Sequence, residues 1–172
     1  MARLDRLDEA FLIACGMIVL VALAGSFGRP SGQGSAEPLS RFEVNQSLHD
    51  VVAADFSRYS STILLLVHSQ CQFCTASMPF YRAISAAVAE CSGVGLRFVS
   101  SQPLETARAY TSEHGLGDVD IISVSNGMLR GTGYPTVVVV DSSGKVTARW
   151  RGFLREDRQT QALAALGCST GS

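Results

Sequence analysis

The chain has 172 residues, with 14 basic and 15 acidic side chains and a formal net charge of −1. This length suits one domain of ordinary size with a short tether, and the charges form no basic block, so we expect no nucleic-acid partner. Its five cysteines are too few and too widely spaced for a small disulfide-stapled fold. They form one Cys-x-x-Cys pair and no second pair that would complete a structural zinc site, so we expect no bound metal.

The first elements in chain order are an apolar segment and a polar linker. Residues 10–28 carry no charged side chain and approach the roughly 20 residues that a bilayer span requires. They predict a transmembrane signal anchor behind a short tail, residues 1–9. A signal peptide cleaved near residues 22–24 is the alternative, and either segment would export the rest of the chain. Residues 29–41 are rich in Gly, Ser and Pro, which predicts a flexible linker.

The domain itself, residues 42–168, begins its regular structure with strands and helices in alternation. Residues 62–68 are β-branched and aliphatic, as in a central strand buried on both faces. Apolar residues then recur every three or four positions from Phe73 to Cys91, which predicts a helix. A strand at 96–100 and a helix at 103–114 come next.

The second half of the domain predicts a hairpin and a closing helix. Residues 119–124 are a further candidate strand, and a glycine-rich loop at 126–133 precedes the apolar residues 136–140. A turn then leads to residues 146–151, which predicts an antiparallel pair. Residues 154–166 are amphipathic and close the domain as a helix. The pattern is that of an α/β domain.

Cys71 and Cys74 lie between the first predicted strand and the helix after it. A dithiol that cycles needs two sulfurs close enough to bond, one of which must be a thiolate at working pH. A Cys-x-x-Cys pair at a helix start meets both conditions, because the unpaired N–H groups and the helix dipole favour an anion there. We expect Cys71 to attack a partner disulfide and Cys74 to resolve the mixed disulfide.

With these residues in view, the chain resembles the thioredoxin superfamily, and more narrowly its membrane-anchored TlpA/ResA-like redoxin branch, over residues 60–166. Four features carry the resemblance: an apolar strand leading into Cys71-Gln72-Phe73-Cys74, Pro79, Gly133-Tyr134-Pro135-Thr136 before an apolar strand, and the hairpin at 141–152. The resemblance implies a thioredoxin-like three-layer fold, with a central mixed sheet, a C-terminal antiparallel hairpin and one transmembrane helix before it.

The resemblance also implies roles for Tyr134 and Pro135. Pro135 is expected to follow a cis peptide bond and to lie against the dithiol, where the backbone of Tyr134 can pair with an extended substrate chain. Two residues depart from the thioredoxin pattern. Leu65 stands where thioredoxins bury an acid on the strand before the dithiol, and Gln70 stands where they have Trp.

Three further residues are weaker candidates. His68 is close enough in sequence to Cys71 to tune the thiolate or to pass protons, although a strand-end residue is the alternative. In a thioredoxin-like fold the dithiol helix and the final helix share one face and run away from the active site, so Cys91 and Cys168 are expected near each other. A structural disulfide between them is predicted, against two separate thiols.

The sequence therefore predicts a membrane-tethered thiol:disulfide oxidoreductase with no cofactor beyond its own cysteines. Its partners would be exported thiol or disulfide proteins and an electron donor in the membrane. Its place would be the bacterial inner membrane, in single-pass form, with the domain facing the periplasm or the cell exterior. The alternatives are a peroxiredoxin-like thiol peroxidase, although Pro and Thr are missing before Cys71, and a copper chaperone with His114 as third ligand.

Overall fold

The computed structural model describes residues 41–166, so the predicted tail, anchor, most of the linker and Cys168 lie outside the described residues. The strands are β1 (Ser61–Leu66), β2 (Val94–Ser100), β3 (Ile121–Ser123), β4 (Thr136–Asp141) and β5 (Val146–Arg151), and the helices are α1 (Gln72–Ala89), α2 (Leu104–Glu113) and α3 (Glu156–Ala164). Between positions 41 and 166, no helix has the length and apolar character that a membrane crossing requires.

The five strands form one mixed sheet in the order β3-β2-β1-β4-β5. β1 is central, parallel to β2 on one side and antiparallel to β4 on the other. β4 and β5 form the predicted antiparallel hairpin. Because both neighbours cover the edges of β1 and both faces are packed, its aliphatic side chains from Thr62 onward are buried. The mixed sheet and its C-terminal hairpin are confirmed.

All three helices pack on one face of the sheet, around a cluster that includes Leu65, Ile84, Val137 and Ala162. The crossovers β1-α1-β2 and β2-α2-β3 advance in the same direction across the sheet. Since such parallel crossovers are right-handed, α1 and α2 must lie on the same side. The carboxyl ends of β1 and β2 therefore meet the first turns of α1 and α2 at one edge of the sheet.

The opposite face is covered by the chain before β1, for which the sequence pattern predicts no element. Phe42, Leu48, Val52 and Phe56 are almost fully buried there, in a cluster that includes Val138 and other inward residues of the sheet. Within residues 41–166 this layer contains no α-helix, so the third layer of the fold is an irregular segment. Its apolar residues lack a regular period, which is why periodicity did not reveal it.

Element boundaries differ from the predicted ones by a few residues. The first helix ends at Ala89 instead of Cys91, and the last begins at Glu156 instead of residue 154. The loop at 126–133 contains a short 3-10 helix, Asn126–Leu129. These differences lie at element ends, where capping and local packing outweigh the apolar period.

Candidate active site

Cys71 is the N-cap residue of α1. Its backbone is extended (φ −94°, ψ 105°), and its Sγ accepts a hydrogen bond from the Cys74 N–H at 3.2 Å. The Cys71 N–H in turn donates to the carbonyl of His68 at 3.0 Å, which closes the turn between β1 and the helix. The sulfur thus occupies the position where a capping side chain meets the unpaired N–H groups of the first turn, and a thiolate is stabilised there.

Cys74 differs sharply from Cys71 in exposure. Its side chain is 0 % exposed, whereas Cys71 is half-buried and Phe73 between them is 53 % exposed. Both cysteines are free thiols. Burial, followed by the hydrogen bond with Cys71, raises the pKa of Cys74 well above its ordinary value. The buried sulfur is therefore held as a neutral thiol while its neighbour faces solvent.

The surroundings of Cys74 contain no acid in the place where thioredoxins have one. Leu65 fills that position with a fully buried aliphatic side chain in the same cluster as Cys74 and Tyr81. Burial is the main cause that raises the pKa of the Tyr81 phenol, and the nearby Cys74 raises it further. The sequence predicted that Leu65 replaces the buried acid of thioredoxins, and in the structure this position is indeed filled by an aliphatic side chain.

Tyr134 and Pro135 come directly before β4 in the chain. The Tyr134–Pro135 peptide bond is cis, as predicted, and the Pro135 carbonyl accepts the Gly152 N–H at 2.8 Å. Tyr134 lines the same cavity as Cys71, whereas the place of Pro135 against the dithiol stays a prediction. Gly133 precedes it at φ +78°, and a Cβ there would meet the Arg151 guanidinium at 2.9 Å.

His68 is the third side chain of this cavity, which has a volume of about 410 Å³ and is completed by Gln70. The Gln70 N–H donates to His68 Nδ1 at 3.2 Å, and the imidazole lies against the Tyr134 ring with centroids 5.6 Å apart. The structure brings His68 to the thiol's cavity; its role stays a prediction.

Residues 100–102, which we call the β2 clasp, hold both sides of this cavity. Gln102 Oε1 accepts the Ser69 N–H at 2.7 Å, and Gln102 Nε2 donates to Ser69 Oγ at 2.8 Å. Ser101 Oγ lies 3.1 Å from the Tyr134 hydroxyl. These residues were not among the candidates predicted from the sequence. A signal was present in the Ser-Ser-Gln-Pro run directly after an apolar strand, since such runs mark a turn at the sheet edge.

The other histidines lie elsewhere. His114 lines a separate cavity of about 520 Å³ with Thr75 and Tyr110, in the groove between α1 and α2. The His114 and Tyr110 rings pack edge to face, with centroids 4.7 Å apart. His49 is exposed and donates through Nε2 to the Ser143 carbonyl at the far end of the sheet. Over residues 41–166, no three His, Cys, Asp or Glu side chains gather as a metal site would require.

Cys91 follows the carboxyl end of α1, the end of the helix away from the dithiol. It is disulfide-bonded, in contrast to Cys71 and Cys74. Its predicted pairing with Cys168 stays a prediction, because Cys168 lies outside the described residues.

Comparison with known proteins finds the fold in solved structures. No protein-family model matches the chain, and no curated protein matches it by sequence. A thiol-disulfide isomerase from Corynebacterium glutamicum matches with a TM-score of 0.54 at 15 % identity, over 77 % of this chain and 97 % of that one. A proposed thiol:disulfide interchange protein, DsbE, from Chlorobium tepidum matches with a TM-score of 0.51 at 24 % identity, over 64 % and 83 %.

The thioredoxin domain of a thiol-disulfide oxidoreductase from Bacteroides vulgatus also matches, with a TM-score of 0.51 at 18 % identity, over 64 % of this chain and 81 % of that one. Each of the three matches covers 81 % or more of the solved chain. The described domain has the thioredoxin-like α/β fold that the sequence resemblance implied.

Proposed function

We propose that this protein is a thiol:disulfide oxidoreductase that exchanges disulfides with exported proteins through Cys71 and Cys74. One observation carries the proposal: a half-exposed sulfur caps a helix and accepts the N–H of a second, fully buried cysteine at 3.2 Å. The capping position stabilises the thiolate that attacks, and burial keeps the resolving thiol neutral until a substrate is bound. Fold likeness adds support, since the matching proteins from Bacteroides vulgatus and Corynebacterium glutamicum are themselves described as thiol-disulfide proteins.

The reaction runs in two exchanges. The Cys71 thiolate attacks one sulfur of a substrate disulfide, so that a mixed disulfide forms and the other substrate sulfur leaves as a thiolate that takes up a proton. Cys74 then loses its proton and attacks Cys71, which forms the Cys71–Cys74 disulfide and releases the reduced substrate. Two electrons pass from the dithiol to the substrate. The reverse sequence oxidises a substrate dithiol with the same atoms.

Trapping of mixed disulfides tests this function. In Cys74→Ser the first exchange still occurs but the second cannot, so substrate proteins should remain bound to Cys71 and separate on reduction. The double variant Cys71→Ser/Cys74→Ser should trap nothing, and Cys15→Ser, outside the described domain, should behave as the unmodified protein. If Cys74→Ser traps no protein in cells that export it, disulfide exchange with exported proteins is wrong.

The proposed setting is the outer face of a bacterial inner membrane, where the domain is tethered by residues 10–28. The uncharged apolar segment supports this placement, as does the linker at 29–41, which if uncoiled spans roughly 20 Å on average. A membrane electron donor and exported substrates would both lie within reach. After cell fractionation, the full chain should resist alkaline extraction from membranes; release by alkali would contradict an uncleaved anchor.

Among residues 41–166, no contact supports the two alternative functions, a copper chaperone and a thiol peroxidase. A copper chaperone needs a third ligand beside the cysteines, and His114 lies in the other cavity, next to Tyr110. Copper titration of the reduced protein should therefore show the same weak binding before and after His114→Ala. A thiol peroxidase would reduce hydrogen peroxide faster than it reduces a model disulfide, and we expect the opposite order of rates.

A further inference from the structure

We propose that Gln102 is a positioning residue for Cys71, and that the β2 clasp sets the geometry of the thiol's cavity from both sides. The inference rests on the proposed function and adds to it: the segment directly after β2, which follows the dithiol in the chain, holds the loop that carries the attacking sulfur. The residue directly before the dithiol, Gln70, is exposed and makes no side-chain hydrogen bond within residues 41–166 that would take over this task.

The contact between Gln102 and Ser69 uses both halves of one carboxamide. Its oxygen accepts the Ser69 backbone N–H at 2.7 Å, and its nitrogen donates to the Ser69 hydroxyl at 2.8 Å. A carboxylate lacks the donor, Asn is one methylene shorter, and Met fills the space with neither group. This double contact joins residues 33 positions apart in the sequence, and it fixes the backbone two residues before Cys71.

The same turn reaches the opposite wall of the cavity. Ser101 Oγ lies 3.1 Å from the Tyr134 hydroxyl, while the Gln102 N–H donates to the fully buried Ser100 hydroxyl at 3.2 Å and stiffens the turn. The hydrogen bond with Ser101 lowers the pKa of the Tyr134 phenol against the larger, raising effect of its burial. The loop that lines one side of the cavity is therefore held through Ser69, and Tyr134 on the other side through its hydroxyl, by neighbouring residues of one short segment.

The effect of the clasp on the chemistry depends on the capping geometry. The Cys71 sulfur receives the Cys74 N–H only while the turn from His68 to Cys71 keeps its shape. Loss of the Gln102 contact would free the Ser69 backbone and let this turn sample other conformations. The sulfur would then spend less time at the helix terminus, so a smaller fraction would be thiolate at a given pH.

The test compares Gln102→Met with Gln161→Met, the same change at an exposed position of α3. For Gln102→Met we expect kcat/KM with a model disulfide to fall about tenfold, and the pH profile of Cys71 alkylation by iodoacetamide to move to higher pH. Gln161→Met should match the unmodified protein in both. A purely structural role would lower the Tm but leave the alkylation profile in place.

A double-mutant cycle locates the effect. Ser69→Ala removes one of the two bonds, and Ser69→Ala/Gln102→Met should be no slower than Gln102→Met alone, within about twofold, because the shared partner is already lost. If Gln102→Met does not fold, Ser69→Ala and Ser101→Ala decide, and each should slow the reaction.

The inference is overturned if, for the folded variants, kcat/KM and the rate of Cys71 alkylation at each pH stay within about twofold of the values for the unmodified protein. If instead the unmodified protein exchanges no disulfides, the proposed function fails. The alkylation profile of Gln102→Met still tests the positioning in that case, because it needs no substrate.

Discussion

The dithiol end of the sheet and the β4–β5 turn at its opposite end are both shaped by polar side chains, but their hydrogen bonds differ in reach. In the turn, one carboxylate oxygen of Asp141 accepts the Ser143 N–H, the Ser143 hydroxyl and the Lys145 N–H, all within four residues. At the dithiol end, Gln102 reaches Ser69 across 33 residues. The turn can form locally, whereas the site exists only after β1, β2 and β4 align.

This difference in reach predicts that substitutions at the two ends separate activity from stability. Substitutions at the dithiol end should lower turnover strongly and change the free energy of unfolding little. Substitutions at the turn should lower the free energy of unfolding and leave turnover unchanged.

Cys71→Ser has the largest expected effect. Turnover of a model disulfide should fall at least about a thousandfold, because the attacking thiolate is lost. The free energy of unfolding of the reduced protein should change by less than about 0.5 kcal/mol, since Ser is a favoured N-cap residue and its hydroxyl can accept the Cys74 N–H. Insulin reduction and urea unfolding measure the two quantities. Residual turnover within tenfold of the unmodified protein would assign the attack to another group.

Alkaline pH should destabilise the reduced protein through Cys74. Burial raises the pKa of this thiol in the folded state, while the unfolded thiol titrates near 8.5 to 9. Above that pH the unfolded chain holds fewer protons than the folded one, so the free energy of unfolding falls, by at most about 1.4 kcal/mol per pH unit.

Urea unfolding at several pH values between 9 and 11 measures how steeply the free energy of unfolding falls with pH. Cys74→Ser removes the titrating thiol, and in the oxidised protein that thiol is absent, so both should show a shallower slope than the reduced protein. Equal slopes in all three would contradict the assignment.

Gly133→Ala should affect both quantities, because Gly133 combines a strained conformation with a crowded place beside the site. At φ +78° a side chain is disfavoured, and its Cβ would meet the Arg151 guanidinium at 2.9 Å. Because Arg151 is exposed and its guanidinium can move aside, we expect the free energy of unfolding to fall by about 1 kcal/mol from the strained backbone, and kcat/KM to fall severalfold. Gly117→Ala is the matched control, with φ +63° and open space around it. It should lower the free energy of unfolding by about 1 kcal/mol and leave kcat/KM unchanged; equal kcat/KM in the two variants would mean that the place of Gly133 beside the site contributes nothing.

Asp141→Ala has the smallest expected effect and the opposite signature. Removal of the shared acceptor should lower the free energy of unfolding by about 1 kcal/mol and leave kcat/KM unchanged. The hydrogen bonds with Ser143 lower the pKa of Asp141, so this stabilisation is present above the ordinary carboxyl pKa and is lost as the pH falls through the lowered value. Thermal unfolding of both proteins at pH 7 and pH 2 checks this; a difference that is undiminished at pH 2 would contradict it.

Much of the fold could be predicted because its signals are local. The aliphatic run of β1, the apolar period of α1 and the turn residues before β5 each act on near neighbours, and the structure has all three elements. The order of the dithiol in the chain, with Cys71 before the helix and Cys74 inside its first turn, came from the same local signals. The cis bond before Pro135 came from the family resemblance, since an isolated X-Pro bond prefers trans.

The sequence by itself therefore determined the set of elements, the position of the dithiol at a helix start and the departures at Leu65 and Gln70. Only the tertiary structure decided what covers the second face of the sheet, which cavity His68 and His114 each line, and that residues 100–102 hold both walls of the thiol's cavity. The physical reason is range: a strand or a helix is specified by residues a few positions apart. The contact between Ser69 and Gln102 arises only when sheet pairing brings the carboxyl ends of β1 and β2 together.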